Sequence, residues 1–153
     1  SKVDLLRLAL DRALNALFAV LDEPGALTGP AIDRLEHVVR GSVRVLTTHL
    51  PFVTLLLRVR GNSAVESEAL DRRREFDRIV TDLVRAAEEE GDVRPDVDPA
   101  VTSRLLFGTV NSLTEWYRPG RGLDADALAD ALVTTTFSGL RTAAAPVPPE
   151  ALR

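Results

Sequence analysis

The sequence predicts an all-α fold, an antiparallel bundle of about six helices, on three observations. Apolar residues recur at intervals of three and four along nearly the whole chain. Glycine and proline interrupt that rhythm at Glu23-Pro24-Gly25, Gly29-Pro30, Leu50-Pro51, Gly61-Asn62-Ser63, Gly91 and Arg118-Pro119-Gly120. Only PFVTLLLRVR, residues 51–60, has the β-branched content of a strand, and no second candidate exists to pair with it.

The first helix opens on Ser1 and Asp4, a capping-box-like pair, and runs from Leu5 to Leu21. Leucine and alanine lie on nearly every side of it, the pattern of a helix that is central or covered on two faces. A second helix follows Gly29-Pro30 and reaches about Thr48, with Ile32, Leu35, Val39, Val43, Leu46 and Leu50 as its core stripe. Its mixed face carries His37, Gly41, Val45 and Thr48. A mid-helix glycine costs ~1 kcal/mol relative to alanine, so Gly41 implies either close helix packing or room for a ligand. Residues 51–60 read as a short buried helix.

Ala64 to Glu90 is the longest helix, with Phe76, Ile79, Val80, Leu83, Val84 and Ala87 in helical register and Gly91 as its stop. Within it, Arg72-Arg73-Arg74 is flanked by Glu66, Glu68, Asp71, Glu75 and Asp77, a mixture that reads as a solvated, salt-bridged face. Glu88-Glu89-Glu90 falls where the helix dipole disfavours anions, and reads as a solubilising end and not a cap. Asp98 caps a fifth helix and Pro99 fits its first turn; the helix continues to Tyr117 through Val101, Leu105, Leu106, Val110, Leu113 and Trp116, with Gly108 and Ser112 as a strip of small residues. Asp124 caps the last helix, striped by Leu128, Leu132, Val133, Phe137 and Leu140, with Ala125, Ala129 and Gly139 as small contacts. One domain, residues 1–141, is followed by a Pro-rich flexible tail, 142–153.

Composition excludes several functions. With 45% hydrophobic and 27% charged residues the chain is an ordinary globule, and no apolar run approaches the ~20 residues of a membrane span. The absence of cysteine removes disulfides, thiol nucleophiles and cysteine zinc sites, and a cysteine-free chain without a signal peptide fits the cytoplasm. The missing initiator methionine reads as a fragment or a processed chain. A net charge of −4 opposes duplex binding, which draws on arginine and lysine contacts to phosphate. His37 and His49 stand about 120° apart around a helix and cannot share a metal within it. No nucleophile elbow, phosphate loop or dinucleotide fingerprint occurs, so the sequence predicts neither enzyme, cofactor nor metal.

The run EWYRPGRGLDADALADAL followed by FSGLR resembles the last two helices of the TetR family of one-component transcriptional regulators. GDVRPDVDPAVTSRLLFG is similar to the approach to that pair, and SKVDLL to the start of the helix after the DNA-binding head. Arg121 departs from the family corner, which often has a second glycine there. The resemblance implies a homodimer in which the last two helices form a four-helix interface, through Leu105, Gly108, Ser112, Trp116, Leu128, Leu132, Val133, Phe137 and Leu140. It also implies DNA binding only through a helix-turn-helix head N-terminal to Ser1.

All-helical domains without catalytic groups bind apolar ligands in gaps between helices, oriented by a few polar side chains. The residues that could enclose such a gap are His37, Gly41, Val45 and Thr48, Phe52 and Leu56, Phe76 and Val80, and Phe107 with Asn111. In the family the inducer lies among these middle helices. The implied function is therefore the effector-binding and dimerisation domain of a repressor, taking a small apolar or amphipathic, lipid-like ligand. A structural helical dimerisation or adaptor domain without a small-molecule site is the alternative.

Overall fold

The computed structural model describes residues 1–142; the proline-rich tail beyond Thr142 lies outside them. Its helical segments are α1 (Lys2–Leu21), α2 (Pro24–Leu27), α3 (Ala31–Thr48), α4 (Leu50–Arg58), α5 (Ala64–Glu89), α6 (Pro99–Asn111), α7 (Leu113–Trp116) and α8 (Ala125–Leu140). Among the described residues no strand forms; Val93 and Arg141 make an isolated antiparallel bridge that latches the α5–α6 loop to the end of α8. The all-α expectation holds, with two short helices added to it.

The caps act as their side chains dictate. Ser1 and Asp4 form a reciprocal capping box on α1, and Ser63, Asp98 and Asp124 each accept from a backbone N–H in the first turn of the helix they precede. The N-terminus of α3 is capped from a distance, since Pro30 has no side-chain oxygen to offer: the Ala31 N–H donates to Glu90 Oε2 at 2.9 Å. Glu90, the C-cap residue of α5, is thus not the solubilising end expected from the sequence, because its charge is put to use at the positive end of a different helix.

The central element is α3, and not α1. Leu35, Val38, Val39 and Val43 of α3 are fully buried, and α1, α4, α5, α6 and α8 all pack against it. α1 is buried only through Leu10, Ala13, Leu14 and Val20, while Val3, Leu5 and Leu8 in its first two turns are exposed. The helix expected over Asp98–Tyr117 is broken at Ser112. There the Ser112 hydroxyl donates to the Thr109 carbonyl at 2.6 Å, the Thr114 hydroxyl to the Asn111 carbonyl at 2.8 Å, and the Glu115 N–H reaches only three residues back. Hydroxyls competing for backbone acceptors tighten the ladder and end α6.

After α7 the chain turns at Gly120 and Gly122, with φ of 77° and 81°, and among the described residues none other than glycine has positive φ. Arg121 is tolerated at this corner because the two left-handed positions fall on either side of it.

Candidate ligand-binding site

A cavity of about 220 Å³ opens between α1, α3, α4, α5 and α6. Each helix contributes residues at helical spacing: Leu17 from α1, Ser42 and Leu46 from α3, Val53, Leu56 and Leu57 from α4. Arg73, Phe76 and Asp77 come from α5, and Ser103, Arg104, Phe107, Gly108, Val110 and Asn111 from α6. The space exceeds the roughly 150 Å³ that can hold a benzene. Its inner wall is apolar, and Phe76 and Phe107 meet edge to face there with centroids 5.5 Å apart.

The polar groups divide into satisfied and available ones. Ser42 is spoken for, its hydroxyl donating to the Val38 carbonyl at 2.7 Å. The Ser103 hydroxyl and the Asn111 amide make no hydrogen bond among the described residues, although Ser103 is only 4% exposed. Arg73 donates to the Leu56 carbonyl at 3.3 Å, which ties α5 to α4 beside the cavity. Burial pulls the pKa of the Arg73 guanidinium down, and raises that of the neighbouring Asp77 carboxyl, which both Arg73 and Arg104 oppose.

Of the residues expected from sequence to enclose a ligand gap, Leu56, Phe76, Phe107 and Asn111 line this cavity. The others lie elsewhere. Gly41, Val45 and Thr48 face a shallow groove between α1 and α3, and a Cβ on Gly41 would stand 2.4 Å from Val20 Cγ1, so this glycine permits close helix packing. His37 is pinned under α2: a Cβ on Gly25 would lie 2.3 Å from its Nδ1, and its Nε2 is 3.4 Å from the Glu23 carboxylate without hydrogen-bond geometry. Phe52 lies beneath the Arg12 guanidinium, 4.6 Å from its ring centroid, and Val80 is wholly in the core. The missed lining residues carried a signal nonetheless. Arg73 and Asp77, spaced by four, bracket Phe76 on one face, and Ser103, Phe107 and Asn111 repeat at the same interval.

The face expected to pair with a second subunit divides in two. Leu105 and Trp116 are 68% and 57% exposed, and around Gly108 there is open space. Leu128, Leu132, Val133, Phe137 and Leu140, by contrast, are buried inside the chain, where α8 packs on α3. The outward side of α8 is made instead of Ala131, Thr134, Thr135, Ser138 and Gly139.

The fold has counterparts among known proteins. The sequence profile of the tetracyclin repressor-like C-terminal domain matches residues 28–140. The chain belongs to the TetR family. It is similar to SCO3833, a TetR-family transcriptional regulator from Streptomyces coelicolor, with 51% identity, a TM-score of 0.87, and coverage of 93% of this chain and 72% of that one. Two more distant solved structures share the fold. The ketosteroid regulator KstR2 of Mycobacterium tuberculosis is 23% identical with a TM-score of 0.77, covering 92% of this chain and 71% of that one. AibR, solved with isovaleryl coenzyme A and operator DNA, is 19% identical with a TM-score of 0.78, covering 90% and 75%. No curated protein sequence matches the chain. Among the described residues no helix of this TetR-family domain is long and apolar enough to cross a membrane.

Proposed function

We propose that the chain is the effector-binding and dimerisation domain of a TetR-family repressor, and that a small amphipathic ligand occupies the cavity between α1, α3, α4, α5 and α6. The observation that carries this reading is the cavity itself, an apolar space in a TetR domain lined also by a serine hydroxyl and an amide that make no hydrogen bond among the described residues. A purely structural dimerisation domain would have little use for such a gap, since an unfilled cavity costs stability in proportion to its volume. AibR, of the same fold, was solved with an acyl-coenzyme A, which is consistent with an amphipathic effector here.

The route by which occupancy would reach DNA runs through α1. Phe107 and Phe76 in the cavity wall continue an edge-to-face ladder to Phe18 of α1, at 5.5 and 5.8 Å. A ligand pressing on Phe76 would tilt α1, and with it the spacing of two DNA-binding heads that must meet half-sites one duplex turn apart, ~34 Å. It can act only by binding the two arrangements with different affinity. Dimerisation would use the exposed face of α6 with Leu105, Gly108 and Ser112, the neighbouring Trp116, and the outward side of α8.

The test is titration with a neutral apolar fluorophore, N-phenyl-1-naphthylamine. Saturable binding at one site per protomer is expected, lost in Ser103→Leu, whose side chain fills the cavity, while the unfolding temperature is kept. Absence of saturable binding by the unmodified chain would favour the structural dimerisation domain.

A further inference from the structure

The charge around the cavity mouth is opposite to that of the chain. The protein carries a net charge of −4, yet the mouth holds the guanidiniums of Arg73 and Arg104 against the single carboxylate of Asp77. Arg60 and Arg74 add to the positive field at Arg73. Neither Arg73 nor Arg104 has a salt bridge within 4.0 Å among the described residues, whereas Arg72 and Arg74 beside them are both paired. Arg73 spends one N–H on the Leu56 carbonyl and keeps the rest of its planar fork free. A half-buried guanidinium cannot shed its proton to relieve desolvation, so an incoming anion would supply what hydration no longer does.

We propose that the cavity selects an amphiphile with an anionic head, held by Arg73 and Arg104 at the mouth, and an unbranched or compact apolar tail lying between Leu46, Leu56 and Phe107. This rests on reading the cavity as the effector site. Asp77 then sets the strength of the preference: it offsets one of the two guanidiniums, and its removal leaves the head group facing both. A cationic head meets a net positive mouth and is disfavoured; a neutral one gains only the tail contacts. The planar fork of arginine suits a carboxylate or a phosphate equally, through two parallel N–H donors.

The experiment is displacement of bound N-phenyl-1-naphthylamine by octanoate, octyl phosphate, octan-1-ol and octylamine at neutral pH. The expected result is that one or both anions displace it at roughly tenfold lower concentration than the alcohol, with the amine weakest. Arg104→Gln, an exposed position, should erase most of that advantage without changing octanol; Arg73→Gln should do the same, and Asp77→Asn should strengthen anion binding. Comparison of octanoate with octyl phosphate tells a carboxylate head from a phosphate one. Equal displacement by anion, alcohol and amine, or an anion preference that survives both arginine substitutions, would overturn the head-group assignment and leave the cavity as a ligand site. Failure of the fluorophore and all four amphiphiles to bind would overturn both.

Discussion

Gly41 shows how one residue serves a packing purpose that its sequence position leaves open. It lies on α3 where α1 crosses, and the nearest atom to an added Cβ is Val20 Cγ1 at 2.4 Å. Alanine in an open helix position would gain ~1 kcal/mol, but here the obstruction is a β-branched side chain with few rotamers, and overpacking of this kind costs about 1–3 kcal/mol. Gly41→Ala is therefore expected to lower Tm by a few degrees in a thermal melt, against the stabilisation seen for glycine-to-alanine changes at open helical sites. A Tm unchanged or raised would mean that α1 is free to move away. At the same scale, the three consecutive arginines of α5 have three surroundings. Arg74 pairs with Asp71 on the surface at 3.1 Å, Arg72 reaches α1, and Arg73 turns to the cavity. Successive helical residues point ~100° apart, so a basic run in sequence is not a basic patch in space.

Between elements, α1 and α5 are joined by charge and aromatic contacts on their exposed flank. The Arg72 guanidinium donates to Asn15 Oδ1 at 3.0 Å, lies 3.5 Å from the Asp11 carboxylate, and sits 5.2 Å from the centroid of the Phe18 ring. Arg7 pairs with Glu68 at 2.5 Å one turn further along. Partly exposed pairs are screened by water, so each contributes little alone; the cation–π contact and the hydrogen bond to the Asn15 amide oxygen give Arg72 more to lose. Arg72→Ala should cost about 1 kcal/mol and speed hydrogen exchange of the α1 amides more than those of α3. Uniform exchange rates across both helices would show that α1 is held by its core leucines alone. The same joint adjoins Phe18, the end of the aromatic ladder from the cavity, so loosening it should also weaken any response to a bound ligand.

For the whole molecule, the division between inward and outward apolar residues separates those that fold the protomer from those left for the proposed dimer. Phe137 is 2% exposed and Leu105 is 68% exposed, although both belong to the terminal helices. Phe137→Glu buries an unpaired charge in the protomer and should leave no folded protein to assay. Leu105→Glu should keep the helical circular dichroism and the melt of the unmodified chain, while sedimentation shifts from dimer to monomer at micromolar concentration. A dimer that persists in Leu105→Glu would move the interface away from α6. The latch of Arg94 on the Leu140 carbonyl and of Thr142 on Asp92, at 2.9 and 3.1 Å, holds α8 beside the α5–α6 loop and keeps its outward side presented.

The sequence by itself determined the class of fold and most element ends, because helical period, capping side chains and proline or glycine stops act within a few residues of where they are written. Ser63, Asp98 and Asp124 needed no tertiary partner to do their work. The corner at Arg118-Pro119-Gly120 likewise carried the family resemblance that the profile match confirms. What only the tertiary structure decided is which apolar face meets which neighbour. The stripes of α6 and α8 look alike in sequence, yet the stripe of α8 is consumed by α3 while Leu105 of α6 is left outside. Glu90 and Arg73 make the same point for charge: one caps a helix 59 residues away in sequence, the other stands at a cavity mouth with α6. Burial, and the polarity that comes with it, depends on how helices are placed in space, and periodicity within one helix holds no record of the helix that will cover it.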